Sequence, residues 1–498
     1  MDACKLSGVD MVSVKSGRVK QLGLIKQVLF GLGCVLVQNA AAEDNLIKLV
    51  DARNDAGIQL AQSIWEFAEV GYQETRSSGL LQSHLREAGF EIQAGVADIP
   101  TAFVATYSGS SVPNAPVIGI LAEFDALPGL SQQAVPNRAP VVTGGAGHAC
   151  GHHLFGAASV TAAVALSQWL AETGQQAEIR VFGTPAEEGG SGKVYLARAG
   201  LFEDVDVVFH WHPSSANSAS PYTTTANKSG RFTFRGKAAH AASAPDAGRS
   251  ALDGVEAMNF MVNMMREHVP STSRIHYIIT DGGDAPNIVP EEAQVYYYVR
   301  HPKAEQVVKL FERVVNAAQA AAQGTETTVD VEVMHGNYPV LANQSLAKLV
   351  DVNMRNLGGI AYSPSETAFA ETLHKTLLNP GLSIGSQQQI APFRFRQTMG
   401  STDVGDVSWL VPTVGFTTAT WVPGTPAHSW QAVAAGGMSI GHKGMMMAAR
   451  VMAASARDLI LQPQHIVTAR AEFEAARGED FEYAALLGDR DPPLDYRK

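Results

Sequence analysis

The stretch Val117-Ile118-Gly119-Ile120-Leu121-Ala122-Glu123-Phe124-Asp125-Ala126-Leu127-Pro128 decides the fold class. Its first six residues are a continuous apolar run, the mark of a strand buried on both faces beneath flanking helices. The run ends in two acids and a turn, and the C-terminal ends of such strands border the ligand crevice of α/β sheets. Two further strands repeat the arrangement. Glu178–Phe182 stops at Gly183-Thr184-Pro185-Ala186-Glu187-Glu188-Gly189-Gly190, and Val205–Phe209 ends in His210-Trp211-His212-Pro213. Segments with helical spacing or helical length, Asn45–Ala68, Tyr72–Leu85 and Leu154–Leu170, alternate with them. An α/β fold with a central, mostly parallel sheet follows.

The pattern changes after about residue 227. Gly230–Phe234, Arg274–Thr280, Gln294–Arg300 and Thr327–Val333 read as strands, with helices over Ser250–His268 and Ala304–Ala322. This β-α-β-β-α-β order is that of a ferredoxin-like α+β domain. The apolar pattern of the first domain resumes near Val340 and closes with a helix over Lys443–Leu461, so the small domain interrupts a larger one. The polar, Gln/Arg-rich stretch Pro380–Thr398 reads as a surface loop.

With 498 residues, two domains are expected of the chain. A formal net charge of −11 excludes nucleic-acid binding as the main activity, which needs a basic surface. The three cysteines, Cys4, Cys34 and Cys150, make no disulfide framework. Residues 1–42 order a basic region, an apolar run Val28–Val37 and small residues Ala40-Ala41-Ala42. That is the order of a secretory signal peptide, and the run is too short to span a membrane. A periplasmic or secreted location is expected, with the cytoplasm as the alternative.

Chemistry concentrates first in Gly147-His148-Ala149-Cys150-Gly151-His152-His153. A thiol and three imidazoles within six residues suit a transition metal. Alone, the motif also fits a Gly-rich turn with a small buried thiol and surface imidazoles. Glu187 and Glu188 are adjacent in a turn, and consecutive extended residues point opposite ways, so one carboxylate can bind a metal while the other serves as a base. His212, and His428 in Thr425-Pro426-Ala427-His428-Ser429-Trp430, are weak signals singly; their recurrence beside strand ends in one crevice gives them weight.

The ordered motifs EFDALPGL, GHACGH, TPAEEGGSGK, WHP, AAHAASAPDAGRSALD, APNIVP, STDVGDVSW and TPAHSW resemble metallopeptidase family twenty, in its amidohydrolase branch, from about Asn45 to Leu461. The resemblance implies a di-metal, aminopeptidase-like catalytic domain over 43–226 and 341–470, an inserted lid and dimerisation domain over 227–340, and a tail over 471–498. It implies two divalent ions, zinc or manganese, held by Cys150, His152, Glu188, His212 and His428. Glu187 then matches the catalytic base, Asp125 the acid that orients a ligand histidine, and His240 a histidine that polarises the scissile carbonyl, usually from a partner subunit. Asn287 and Arg300 match polar residues near the substrate's carboxylate, a role that suits a guanidinium. Much of the branch has Asp where this chain has His153, which we read as lying behind the ligands or facing substrate.

The activity implied is hydrolysis of an N-acyl amino acid amide, p-aminobenzoyl-glutamate first, with another N-acyl amino acid or a dipeptide as the alternative. A homodimer or a hetero-oligomer with a homologous subunit is implied as well. A non-catalytic binding subunit is the competing reading from another class.

Overall fold

Apolar runs and turn residues divide the chain between two sheets, each with its own core. The computed structural model describes residues 45–109 and 115–497, so the expected signal peptide lies outside the described residues. The strands are β1 (Glu91–Ala94), β2 (Phe103–Ser108), β3 (Val117–Ala122), β4 (Glu178–Gly183), β5 (Val207–Ser214), β6 (Tyr222–Thr223), β7 (Ala226–Arg235), β8 (Arg274–Asp281), β9 (Glu292–His301), β10 (Thr328–Asn337), β11 (Arg396–Gln397) and β12 (Thr413–Ala419).

The six-stranded sheet runs β1-β2-β4-β3-β5-β12. Its β4-β3-β5-β12 part is parallel, while β1 and β2 are antiparallel additions at one edge. The helix His152–Thr173 is buried along nearly its whole length, as expected for a helix apolar all round. It shares one core with the sheet and the helix Ser439–Leu461. Phe209 and Trp211 on β5 are fully buried there, each worth roughly 1.5–3 kcal/mol relative to exposure.

The four-stranded sheet runs β10-β7-β9-β8, antiparallel throughout. Its helices, Ala251–Met265 and Ala304–Gly324, pack against Phe232, Phe234, Val295 and Tyr297 in a separate core. The sequence of elements from β7 to β10 is β-α-β-β-α-β.

Two expectations need correction. The strand expected to stop before His210 continues through Ser214, so His210 and His212 sit within β5. The loop Pro380–Thr398 lies at the surface as expected and is anchored there: Gln387 is buried, Asn217 donates to the carbonyls of Gln387 and Gln389, and Arg396 and Gln397 pair with β6. The segment from 471 is no free tail. Helix Gln464–Arg477 runs through that boundary with Phe473 buried, and Leu486 and Leu487 are buried further on. Arg490 donates to Met334 O and Glu332 on β10, and Arg198 to the carbonyls of Gly488 and Arg490, so this segment straps the two domains together.

Candidate metal centre

Gly151 explains how the opening motif meets β5. It has φ 81°, and a Cβ there would come within 2.6 Å of Pro213, so only glycine lets the chain between Cys150 and His152 approach that strand. Cys150 Sγ consequently lies 3.4 Å from His212 Nε2. His212 Nδ1 bonds the Pro213 carbonyl at 2.8 Å, which leaves Nε2 as the free ligand nitrogen.

Asp125, just beyond β3, organises the other side. One carboxylate oxygen accepts from His152 Nδ1 at 2.8 Å and the other from Glu188 N–H at 2.9 Å. The far ring nitrogen of His152 then points at Glu123, 3.1 Å away. His428 arrives from the distant loop before helix Trp430–Gly436; its N–H bonds Ala149 O at 3.0 Å, and its Nε2 meets Glu188 Oε1 at 3.0 Å.

Ligand atoms converge in three overlapping groups, each within 4.8 Å: Cys150, His152 and His212; Cys150, Glu188 and His428; His152, Glu187 and Glu188. Soft sulfur, imidazole and carboxylate donors in two connected clusters fit a pair of divalent ions. Against its burial, the charges of Cys150, Asp125 and Glu123 hold His152 well above the usual imidazole range, so ion binding there must displace a proton. Burial, reinforced by Glu188, pushes the Cys150 thiol well up, so a thiolate there needs a cation. Burial, with Glu123 and Glu188 adding to it, holds Glu187 well above the usual carboxylate range. Burial also depresses His212 to about 4, keeping it neutral and able to ligate.

Arg300 lies with Glu187, Glu188 and His428 on one cavity of about 260 Å³, whose other walls include Asn227, Tyr298, His335, Asn337 and Ser401. His240 and Asn287 lie elsewhere. Both are exposed on the inserted domain, where Ala241 N–H bonds Asn287 O and His240 pairs with Ile288. Of the two expectations for His153, the structure matches a place behind the ligands: it is fully buried, bonds the Gly436 carbonyl at 3.1 Å and packs on His148, so it joins two helices.

Sequence reasoning passed over four residues that brace the site. Lys193 is fully buried and bridges Glu123 at 2.7 Å and Asp403 at 2.8 Å, which hold its pKa above the usual lysine value despite burial. Its signal was present in TPAEEGGSGK, where a lysine follows two acids in an otherwise small-residue turn. Glu74, buried, accepts from Ala186 N–H at 2.8 Å, and burial with the Asp125 charge raises its carboxyl to about 8. Tyr496 and Arg497 both donate to Glu188 O at 2.9 Å, a contact no local pattern announces.

Comparison with known proteins places this geometry. Residues 222–326 match the peptidase dimerisation domain of family M20. The chain is 37% identical over 439 residues to a p-aminobenzoyl-glutamate hydrolase subunit of Escherichia coli (strain K12), covering 83% of this chain and 90% of that protein. The chain belongs to metallopeptidase family M20. It is 31% identical to Xaa-Arg dipeptidase of Mus musculus, over 89% of this chain and 95% of that one. Its fold is that of M20 structures: an aminobenzoyl-glutamate utilization protein from Klebsiella pneumoniae (17% identity, TM-score 0.57, 83% and 98% covered) and a dinuclear metal-binding peptidase from Bacillus subtilis (18%, 0.56, 83% and 99%). As an M20 member the chain is a hydrolase of amide bonds, and its inserted domain is a dimerisation domain.

Proposed function

We propose that this M20 enzyme cleaves N-acyl amino acids with an acidic amino-acid half, p-aminobenzoyl-glutamate foremost, into the acid and the free amino acid. The observation that carries the reading is the meeting of Arg300, Glu187 and the candidate ligands Glu188 and His428 on one cavity, with Cys150, His152 and His212 clustered against those ligands. Cys150, His152, Glu188, His212 and His428 would hold two ions, zinc or manganese. Bound there, such ions lower the pKa of water and polarise a carbonyl. Glu187 takes the proton of the attacking water on a carboxylate oxygen and passes it to the leaving nitrogen as the C–N bond breaks. Arg300 holds the substrate carboxylate bidentately. A basic amino-acid half, as the name of the mouse relative indicates for that protein, would set a second cation beside Arg300, which favours the acidic class here.

His240 and Asn287 complete the site from a second subunit, either another copy or a homologous chain. The unpaired edge of β8 with exposed Ile278 and Ile279, and exposed Phe260 and Met264 on the neighbouring helix, form a surface suited to that contact. Export through residues 1–42 belongs to the same reading, and a fusion of those residues to a reporter active only outside the cytoplasm tests it.

The deciding experiment is a panel of N-acyl amino acids and Arg-terminated dipeptides, headed by p-aminobenzoyl-glutamate, with zinc and manganese supplied in turn. A higher kcat/KM on the acidic substrates is expected. Preference for the Arg-terminated dipeptides, or no hydrolysis with either metal, would overturn the proposal.

A further inference from the structure

The inserted sheet sets three polar residues in one row. Asn227 on β7 stands directly opposite Arg300 on β9 and Asn337 on β10. Residues opposite one another across adjacent strands share a face. Ala226, Phe232 and Phe234, of the other parity on β7, face the helices, so the row faces the catalytic body. It lines the same cavity as Glu187.

Asn227 and Asn337 are each only 1% exposed. Asn227 Nδ2 donates to Ser401 Oγ at 2.7 Å, but its Oδ1 has no partner among the described residues. The same holds for both polar atoms of the Asn337 carboxamide and for Arg300 Nε. Buried amides without partners are costly, and they are retained where a ligand completes them.

We propose that Asn337 and Asn227 form with Arg300 a subsite that reads the amino-acid half of the substrate. Arg300 and Asn337 Nδ2 donate to its carboxylate, and the two carboxamide oxygens share the single N–H of the amide to be cleaved as a three-centre hydrogen bond. The ligand class follows from the unmet atoms. A simple anion offers acceptors only and leaves two buried carboxamide oxygens unpaired, whereas an N-acyl amino acid with a free carboxylate supplies both roles. This rests on the function proposed above and adds what sets affinity within it.

The test compares Asn337→Leu, Asn337→Asp and Asn227→Leu with the parent. It measures KM and kcat on p-aminobenzoyl-glutamate, calorimetric binding of p-aminobenzoyl-glutamate to the metal-free proteins, bound metal and circular dichroism. With fold and metal content unchanged, Asn337→Leu is expected to raise Kd and KM about tenfold while kcat stays within roughly threefold. Asn337→Asp, adding a like charge against the carboxylate, is expected to raise them further. Variants with parent Kd and KM, or with kcat alone reduced, would overturn the subsite while leaving hydrolysis by the parent intact. A parent that neither binds nor cleaves p-aminobenzoyl-glutamate overturns both readings.

Discussion

The turn carrying Glu187 and Glu188 and the loop carrying His240 are opposite kinds of structure. The turn is backbone under strain, with φ 57° at Ala186 and 61° at Ser191, both non-glycine. Separate segments hold it in place: Glu74 on Ala186 N–H, Asp125 on Glu188 N–H, Tyr72 on Gly190 O, and Tyr496 with Arg497 on Glu188 O. Strain persists where the surroundings over-determine it, and here that fixes two adjacent carboxylates in different surroundings. His240 is exposed, and its Nδ1 accepts only the N–H groups of its own loop, Ala242 and Ser243. One candidate group is held rigidly inside this chain; the other lies exposed on the inserted domain.

The comparison breaks most visibly at Glu187. Glu187→Gln should lower kcat by about 10³- to 10⁴-fold with metal content, read by emission spectroscopy, unchanged; parent-level turnover would remove it from the prebuilt side. Lys193→Met tests how far that side depends on buried charge. Leaving Glu123 and Asp403 without their cation should cost about 3–5 kcal/mol in denaturant unfolding, and a loss below that range would mean the carboxylates relax at little cost.

His240→Ala should lower kcat by about 10²-fold while costing no more than about 1 kcal/mol in unfolding, because the exposed side chain caps only the Ala242 and Ser243 N–H groups of its own loop. Mixing this variant with Glu187→Gln sharpens the contrast. If His240 acts across a dimer, half of randomly formed pairs carry one intact site, and about a quarter of parent activity should return. No recovery would mean that His240 serves its own subunit. The smallest effect is expected at the strap. Tyr496→Phe removes one hydrogen bond to Glu188 O, worth about 1 kcal/mol, and should reduce kcat about fivefold with KM unchanged.

Legibility follows the range of the interaction. The run Val117–Ala122 and the β-α-β-β-α-β order were readable because burial leaves a local period in the sequence. The donors that gather in the candidate metal centre stood out through motif resemblance, since thiol, imidazole and carboxylate at strand ends have few other uses together. For His153 the sequence left two places open because it stands next to His152; the helix turn sends successive side chains in different directions, and His153 goes to Gly436. Lys193 looked like a turn residue because its partners, Glu123 and Asp403, are 70 and 210 positions away. The strap looked like a tail because single contacts to carbonyl groups leave no periodic trace.

By itself the sequence determined which strands are buried, that a small α+β domain interrupts a larger one, and which atoms could bind metal, because these depend on residue type and local spacing. Only the tertiary structure decided that Arg300 shares a cavity with Glu187 while Asn287 does not, and that Asn227 and Asn337 join Arg300 in one row. Strand register and the docking of one domain on another set those neighbours, and both are global solutions to packing that no short stretch of chain encodes.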